Sequence, residues 1–314
     1  MKPGQIKRLY TEFGTEIALS SICASSFKIT SPWKHRCILR YLKETYSEFI
    51  AGYKQEQAKK DTPVSKTKYT VSDTPAPIWT MWWQGTDDLP ELVSMCYASF
   101  HRHRGNHPLT VLTCDNYQEY VSLPDRIMDK VKSGAITITH LSDVIRFALL
   151  SQYGGLWLDS TVFVADRIPE EIFTLEYFTV KWPMIPKKGN LVQGRWTNFL
   201  HAAQKGNALC RFVFDFFLEY WRTQDYLINY FLIDYAIQMA YDELPQCRKL
   251  LDAVPVMNDD LYRLEIMMNS KWDPAVFEEI KTNALFSKLS WRKGGRKKTF
   301  SGEETIYGHL VNLR

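Results

Sequence analysis

Two carboxylates and one guanidinium lie in one segment of the chain, where their spacing would let them bind a polar ligand together. Asp143 and Arg146 are spaced i and i+3 and therefore share one face of a predicted helix. Asp159 follows a short apolar stretch, residues 156–158, that is typical of a buried strand. A carboxylate at a strand end can bind a metal ion, a ribose hydroxyl or a sugar hydroxyl. The simpler alternatives are a capping or turn aspartate at 159 and an exposed Asp143–Arg146 ion pair of little energetic value.

The elements around these residues decide whether the three side chains meet. Ser142 is a suitable N-cap for a helix that begins at Asp143, and Gly154 and Gly155 end that helix and let the chain reverse. The helix rises about 16 Å over about eleven residues, and a returning strand of about five residues covers about 16 Å. We therefore expect Asp159 to return beside the helix N-terminus, at the C-terminal end of a strand, where open α/β sheets bind ligands.

Alternating strands and helices in the first half of the chain predict an α/β protein. An apolar strand within residues 77–85 is followed by a helix over 91–100 and a strand over 109–115. A further strand over 135–139 precedes the helix that carries Arg146. We predict a mixed, mostly parallel sheet flanked by helices.

The second half of the chain continues with elements of both kinds. Residues 161–164 are predicted to be extended and residues 178–182 to form a strand. Apolar residues at helical spacing predict long helices over 199–221 and 226–240, and a shorter one over 274–280.

The pattern along the chain predicts an N-terminal extension and one main domain. Residues 1–70 form the extension, which is helical to about residue 60, with a polar linker over residues 55–75. The main domain spans residues 71–314. Its nucleotide-binding half would be 71–165, and its second half, with the C-terminal tail, would be 166–314.

The composition is that of a globular protein. The chain has 314 residues, of which 45% are hydrophobic, and its net charge of +4 is too small to indicate nucleic-acid binding. The six cysteines form no C-x-x-C pair, and no signal-peptide core or transmembrane stretch is recognisable. We expect a cytoplasmic protein with free thiols. One basic run is either a solvated loop or a surface for phosphates or an anionic membrane: Lys288, Arg292, Lys293, Arg296, Lys297 and Lys298.

Aromatic and histidine side chains provide further candidates. Trp82 and Trp83 end the first strand, where an indole either stacks on a nucleobase or belongs to the core. His309 lies near the C-terminus, in a tail that would be able to fold back over a phosphate site. The sequence has no P-loop, no G-x-G-x-x-G fingerprint and no G-x-S-x-G elbow, which argues against those nucleotide-binding and hydrolase folds.

The segment from Ser142 to Thr161 resembles a known signature. It reads S-D-x-x-R-F-x-L-L-x-x-Y-G-G-L-W-L-D-x-T and is similar to the motif of DXD-type glycosyltransferases with the GT-A fold. The opening P-I-W-x-x-W-W-Q-G at residues 77–85 is similar to the first strand of the same group. Within that group the chain most resembles bacterial capsular polysaccharide synthesis proteins, relatives of the family 32 glycosyltransferases. The resemblance covers residues 75–245.

The resemblance implies roles for individual residues. An aromatic of the first strand holds the nucleobase, Asp143 and Arg146 bind the hydroxyls of the donor sugar, and Asp159 binds the ribose and the metal–diphosphate unit. The implied donor-binding set is Trp82, Trp83, Asp143, Arg146, Gly155, Asp159 and Thr161.

One departure from the signature concerns the metal. The second aspartate of D-x-D is Thr161 here, and a hydroxyl is a weaker ligand for Mn²⁺ or Mg²⁺ than a carboxylate. Three outcomes are open. The metal binds through Asp159 and the diphosphate alone, or His309 completes the site with Asp159. In the third outcome no metal is needed, because the basic residues around 292–298 offset the diphosphate charge.

The implied function is that of a hexosyltransferase. The resemblance implies that a hexose moves from UDP- or GDP-hexose, with retention of configuration, to a glycan or lipid-linked oligosaccharide on the way to a bacterial capsular or surface polysaccharide. Asp234 is a candidate catalytic carboxylate on the acceptor side, with a capped or salt-bridged helix residue as the alternative. The helical N-terminus and the basic run are expected to permit peripheral membrane contact. The alternative function is a non-catalytic protein that binds sugar nucleotides as a scaffold of a polysaccharide synthesis complex.

Overall fold

The structure is a computed structural model. It describes residues 1–26, 32–60, 74–182, 191–256 and 260–313.

Helices and strands are distributed along the whole described chain. The helices are α1 (Pro3–Ser26), α2 (Pro32–Thr45), α3 (Ser47–Lys60), α4 (Glu91–His103), α5 (Asp125–Lys132), α6 (Ile138–Gln152), α7 (Glu170–Thr174), α8 (Ala208–Thr223), α9 (Leu232–Glu243), α10 (Pro245–Ala253), α11 (Arg263–Met267), α12 (Pro274–Asn283) and α13 (Ile306–Asn312). The strands are β1 (Ile78–Met81), β2 (Leu109–Leu112), β3 (Gly155–Leu158), β4 (Val162–Val164), β5 (Tyr177–Thr179), β6 (Leu200–Ala203) and β7 (Phe286–Lys288).

Five strands form the central sheet in the order β2-β1-β3-β6-β5. Strand β1 runs parallel to β2 and β3, whereas β6 runs antiparallel to both β3 and β5. Four of the five strands therefore point the same way, and the prediction of a mixed, mostly parallel sheet flanked by helices is confirmed. The core between sheet and helices is apolar, and large side chains such as Trp157, Phe147 and Phe217 are fully buried in it.

A small second sheet joins two segments that are far apart in sequence. Strand β4 follows directly after the end of β3 and pairs antiparallel with β7. In this register Val162 lies opposite Lys288, and Val164 lies opposite Phe286. The pairing holds the C-terminal part of the chain against the segment that contains Asp159.

The N-terminal helices pack on the outer side of α8 and α9. The ring of Tyr46 meets that of Phe216 at 5.3 Å between centroids. The Lys43 ammonium contacts the carboxylates of Asp242 and Glu243 at 2.8 and 2.9 Å. Helix was predicted over residues 1–60, and the described residues confirm it. The domain boundaries stay a prediction. The predicted linker start at residue 55 was wrong, because α3 continues to Lys60, and residues 61–73 lie outside the described residues.

Two predictions about the elements before Asp159 were wrong: the start of one helix and the presence of one strand. Helix α6 begins at Ile138 rather than at Asp143, and its N-cap is Thr137, whose hydroxyl accepts a hydrogen bond from the His140 backbone N–H. Ser142 lies inside the helix, where its hydroxyl donates to the carbonyl of Thr139. The predicted strand over 135–139 does not form, because its second half is the first turn of this helix.

Two predicted helices in the second half were too long at their starts. Residues 200–203 form strand β6 of the central sheet, and α8 starts only after Asn207, whose side chain accepts hydrogen bonds from the backbone N–H groups of Leu209 and Cys210. Helix α9 begins at Leu232 rather than at residue 226. The predictions that gave α4, α12, β1, β2, β3 and β5 are confirmed; β1, β2 and β5 are shorter than predicted. Among the described residues, no helix combines the length and apolarity that crossing a membrane requires.

Candidate functional site

Asp159 follows β3 at its carboxyl end and lies between two cations. The Arg146 guanidinium donates to Asp159 Oδ1 at 2.9 Å, and the Lys288 ammonium donates to Asp159 Oδ2 at 3.1 Å. Trp157 lies two residues earlier on β3, so its side chain points to the same face, and its indole N–H donates to Asp159 Oδ1 at 3.0 Å. The Asp159 side chain keeps 29% of its surface exposed and is therefore accessible to a ligand.

Arg146 connects the two predicted carboxylates from the middle of α6. Its guanidinium lies 3.3 Å from Asp143 Oδ1, donates to the backbone carbonyl of Asn198, and lies over the Trp157 ring at 5.0 Å. Asp143, Arg146 and Asp159 thus meet as expected. They meet in the middle of the helix rather than at its N-terminus, because α6 begins earlier than predicted. Their role in binding stays a prediction.

Thr161 contributes a hydroxyl to the same cluster. Lys288 donates to Thr161 Oγ1 at 2.7 Å, and the backbone N–H of Leu289 donates to the carbonyl of Thr161 at 2.9 Å. The ammonium of Lys288 also lies 5.3 Å from the centroid of the Phe199 ring. One carboxylate, one hydroxyl and one ammonium are therefore hydrogen-bonded together here.

The charges around Asp159 keep its carboxylate ionised. Burial alone would raise the pKa of Asp159. The positive charges of Lys288 and Arg146, together with the hydrogen bond from Trp157, outweigh burial and lower the pKa to about 2. The carboxylate is therefore charged throughout the neutral range.

Asp234 lies on α9 in a less polar environment. The indole N–H of Trp196 donates to its Oδ1 at 3.0 Å. Burial, together with the nearby negative charge of Asp143, raises the pKa of Asp234 to about 6, although hydrogen bonds from Trp196 and Asn198 oppose this shift. Asp234 is therefore a carboxyl group that titrates close to neutral pH.

A cavity of about 920 Å³ opens beside the charged cluster. Asn198 and Phe199 line the cavity and also contact the cluster, because Arg146 donates to the Asn198 carbonyl and the Asp159 N–H donates to the Phe199 carbonyl. Asp234 lies in the wall, as do residues of α1 and α2. The wall is rich in aromatic rings, among them Trp182, Trp196, Tyr226, Tyr230, Phe231 and Tyr262.

A second hollow, of about 830 Å³, lies near the carboxyl ends of β1 and β2. Gly85, Thr113 and Asp115 line it. Trp82 and Trp83 lie just after β1 and are half-buried. The Trp82 ring meets Trp291 edge to face at 5.9 Å, and the Trp83 ring meets Tyr117 at 5.2 Å. These indoles are partly accessible, and base stacking by either one stays a prediction.

Two of the predicted site residues lie elsewhere. Gly155 begins β3, at the opposite end of that strand from Asp159, with φ +96°, and a Cβ there would lie 2.1 Å from the Pro77 carbonyl oxygen. His309 stacks on Trp272 at 3.7 Å and lies 3.2 Å from a Glu304 carboxylate oxygen. Among the described residues, no three His, Cys, Asp or Glu side chains are arranged to hold a metal ion. The binding role of Gly155 and the metal role of His309 stay predictions without structural support.

Four residues around the cluster were not singled out from the sequence: Trp157, Trp196, Asn198 and Lys288. Trp157 was within reach of sequence reasoning, since it is two residues from Asp159 on one strand. Lys288 was recognised only as part of the basic run, because its partners are more than a hundred residues away.

Fold and site together define a mixed α/β protein with a charged cluster at the carboxyl end of a strand of its central sheet. The chain belongs to the family of capsular polysaccharide synthesis proteins, whose family model matches residues 23–310.

Two individual proteins with similarity to the chain are glycosyltransferases by name. An O-glycosyltransferase, PaGT, of Phomopsis amygdali is 25% identical over 167 residues, which is 48% of this chain and 40% of the fungal protein. The chain therefore matches less than half the length of that relative. Among solved structures, the PaToxG glycosyltransferase aligns with a TM-score of 0.39 at 12% identity, over 74% of this chain and 86% of that chain.

Proposed function

We propose that this protein is a GT-A hexosyltransferase, which moves a hexose from a nucleotide-diphosphate sugar to a precursor of a bacterial capsular or surface polysaccharide. The observation that carries the proposal is the Asp159 carboxylate, held at the carboxyl end of β3 between Arg146 and Lys288. Membership in the capsular polysaccharide synthesis family supports the proposal, as does the similarity to a fungal O-glycosyltransferase.

The cluster offers complementary groups for a sugar nucleotide. Asp143 and Arg146 provide acceptors and donors of hydrogen bonds for sugar hydroxyls, and Lys288 provides a positive charge for the diphosphate. Asp159 accepts from the ribose. Strand β1 lies next to β3 in the sheet order, and in the proposal Trp82 or Trp83, just after β1, stacks on the base.

The proposed reaction replaces one bond at the anomeric carbon with another. The bond from this carbon to the diphosphate oxygen breaks, and its electron pair remains on the nucleoside diphosphate. The acceptor oxygen forms the new bond on the same face, with retention, and its proton passes to the departing diphosphate. Positive charge near the diphosphate stabilises the negative charge that develops as the bond breaks, and Lys288 and Arg146 are the cations of the cluster.

The aromatic cavity is the proposed acceptor site. It adjoins the cluster through Asn198 and Phe199, and its aromatic rings present flat apolar faces that suit a sugar ring. In the proposal Asp234 accepts a hydrogen bond from the acceptor hydroxyl and orients it.

One feature favours a second candidate, a scaffold that binds sugar nucleotides without transferring them. Thr161 stands where a second metal-binding carboxylate is common, and its hydroxyl is bonded to Lys288. If the cluster only binds the donor, nucleotides bind and no sugar is transferred.

A transfer assay separates the two candidates. The protein is incubated with UDP- and GDP-hexoses and an oligosaccharide acceptor extracted from a capsule-producing bacterium, and NMR of the product gives the anomeric configuration. The enzyme proposal expects an elongated acceptor with retained configuration and at least about a hundredfold loss of turnover in Asp159→Asn. Asp225→Asn removes a carboxylate that is 86% exposed, and this control keeps its activity. Nucleotide binding without any transfer would support the scaffold instead.

A further inference from the structure

The donor set near Asp159 does not fit a divalent metal ion. Mg²⁺ and Mn²⁺ prefer several oxygen ligands with carboxylates among them. Between Asp159 and Thr161 the chain offers one carboxylate and one hydroxyl, and Lys288 is hydrogen-bonded to both. His309 is stacked on Trp272 and paired with Glu304, so it adds no ligand here.

We propose that the Lys288 ammonium takes the place of a divalent metal and binds the diphosphate of the donor directly. The inference rests on the proposed function, because it concerns the donor of that reaction. It assigns Lys288 as a binding residue and predicts a donor site that works without metal.

Backbone pairing fixes Lys288 beside residues 159–161, which include Asp159 and Thr161. Strand β7 pairs with β4 in a register that sets Lys288 opposite Val162, one residue after Thr161. The next residue, Leu289, donates its N–H to the Thr161 carbonyl at 2.9 Å. A lysine on a flexible loop would lose more conformational entropy on binding, whereas this one is already positioned.

The charge balance of the cluster supports the replacement of a divalent metal ion by the Lys288 ammonium. Two carboxylates and one divalent cation sum to zero, and so do the single carboxylate of Asp159 and the ammonium of Lys288. The loss of a carboxylate at Thr161 and the replacement of the metal by Lys288 therefore leave the same local charge for the diphosphate to meet.

The ammonium has a donor and an approach left for a phosphate oxygen. Lysine has three N–H donors, and its bonds to Asp159 Oδ2 and Thr161 Oγ1 use two of them. The Lys288 side chain is 22% exposed, so a ligand can approach it. A charge-assisted hydrogen bond of this kind is among the stronger ones in proteins.

Calorimetric titration of the full chain with UDP and GDP, and with UMP and GMP, tests the inference. Each titration is done in excess EDTA and again in excess Mn²⁺. We expect a diphosphate to bind with a Kd that differs by less than about threefold between the two conditions. We expect Lys288→Met to weaken the diphosphate about 10- to 100-fold, and the monophosphate much less.

A matched control separates a binding role from a structural one. Lys43 is also half-buried, at 29% exposure, and is also paired with acids, but it lies on α2. Lys43→Met is expected to bind the diphosphate as the parent does. A second variant, Thr161→Asp combined with Lys288→Met, restores two carboxylates and removes the ammonium, and it is expected to require Mn²⁺ for diphosphate binding.

The results discriminate between failure of this inference and failure of the proposed function. Diphosphate binding that EDTA abolishes, or that Lys288→Met leaves unchanged, overturns the inference and leaves the transferase proposal standing. If no nucleoside diphosphate binds the parent protein under either condition, both proposals fail.

Discussion

Lys288 and Arg146 keep the Asp159 carboxylate charged in the folded protein, with its pKa lowered to about 2. Taking charged groups such as Asp159, Arg146 and Lys288 partly out of water costs solvation free energy that ion pairs seldom regain in full. The charges are oriented before a ligand arrives, as the proposed binding of a donor requires. A substitution in this cluster leaves the charge of its partner uncompensated and changes stability for that reason alone. The change in stability on adding a ligand therefore reports the binding role of these residues better than stability without ligand does.

At Asp234 we predict opposite effects on stability and on turnover. Its pKa is raised from 3.8 to about 6, so the folded state binds more protons than the unfolded state between these values. The contribution of Asp234 to stability therefore falls as pH rises through this window and stays unfavourable above it. Asp234→Asn is expected to raise the melting temperature at neutral pH and to lower turnover at least about tenfold.

The pH profile of the parent protein supplies the second half of this test. If charged Asp234 orients the acceptor, turnover falls below about pH 6 and Asp234→Asn loses that limb of the profile. Melting curves and initial rates are measured over the same pH series. A variant that is less stable at neutral pH, or a parent rate that does not change across this range, would contradict the assignment.

At the scale of elements, helix and strand patterns in the sequence predicted the part of the site whose residues lie close together along the chain. Arg146 lies on α6 and Asp159 directly follows β3, and a tight turn joins this helix to this strand. The lengths of the helix and the strand follow from their rise per residue. The prediction was therefore correct about which residues meet, although it placed the start of α6 at Asp143, with Ser142 as the N-cap. Both Thr137 and Ser142 are good N-caps, and burial of Leu141 and His140 extends the helix to the earlier one.

Two other parts of the site were beyond local reasoning. Helical spacing was assigned from residue 199 across β6 and α8, although the polar residues 204–207, which end in the capping residue Asn207, separate the strand from the helix. Lys288 reaches Asp159 only because β7 pairs with β4. Nothing in the local sequence of either strand indicates this pairing, which depends on tertiary packing.

For the turn between α6 and β3, we predict that Gly155 is required for folding. Gly155→Ala forces an alanine to φ +96° and places its Cβ 2.1 Å from the Pro77 carbonyl oxygen. The loss of unfolding free energy is expected to be about 2–4 kcal/mol, measured by urea denaturation. Gly85 has φ +92° with nothing within 4 Å, so Gly85→Ala isolates backbone strain alone and is expected to cost about 1 kcal/mol. Equal losses in both variants would refute the close-contact argument.

At the scale of the whole molecule, three lysines of the basic run are paired with acids. Lys288 is committed to the site, Lys293 contacts Glu265 at 3.1 Å, and Lys297 contacts Glu91 at 2.5 Å. The same loop carries two exposed aromatic side chains, Trp291 at 45% and Phe300 at 95%. Basic side chains beside exposed aromatic rings are typical of surfaces that contact anionic membranes.

We predict that this loop binds anionic lipid vesicles. Vesicles of phosphatidylserine and phosphatidylcholine are expected to retain the protein in a sedimentation assay, with weaker binding at high salt. Phe300→Ser is expected to weaken binding roughly tenfold. The control is Val256→Ser, which removes an apolar side chain that is 61% exposed elsewhere on the surface. Equal binding by parent and Phe300→Ser would show that this loop is not the contact.

We propose that the cluster around Asp159 binds a nucleotide-diphosphate donor. Thermal unfolding of the protein with UDP, GDP, CMP and ADP is a direct test of this binding. A nucleotide at about 100 times its Kd adds roughly 2.7 kcal/mol to the stability of the folded state. We expect a clear rise in melting temperature with UDP or GDP, selective for one base and absent in Asp159→Asn. A folded parent protein whose melting temperature none of the four nucleotides changes would contradict it.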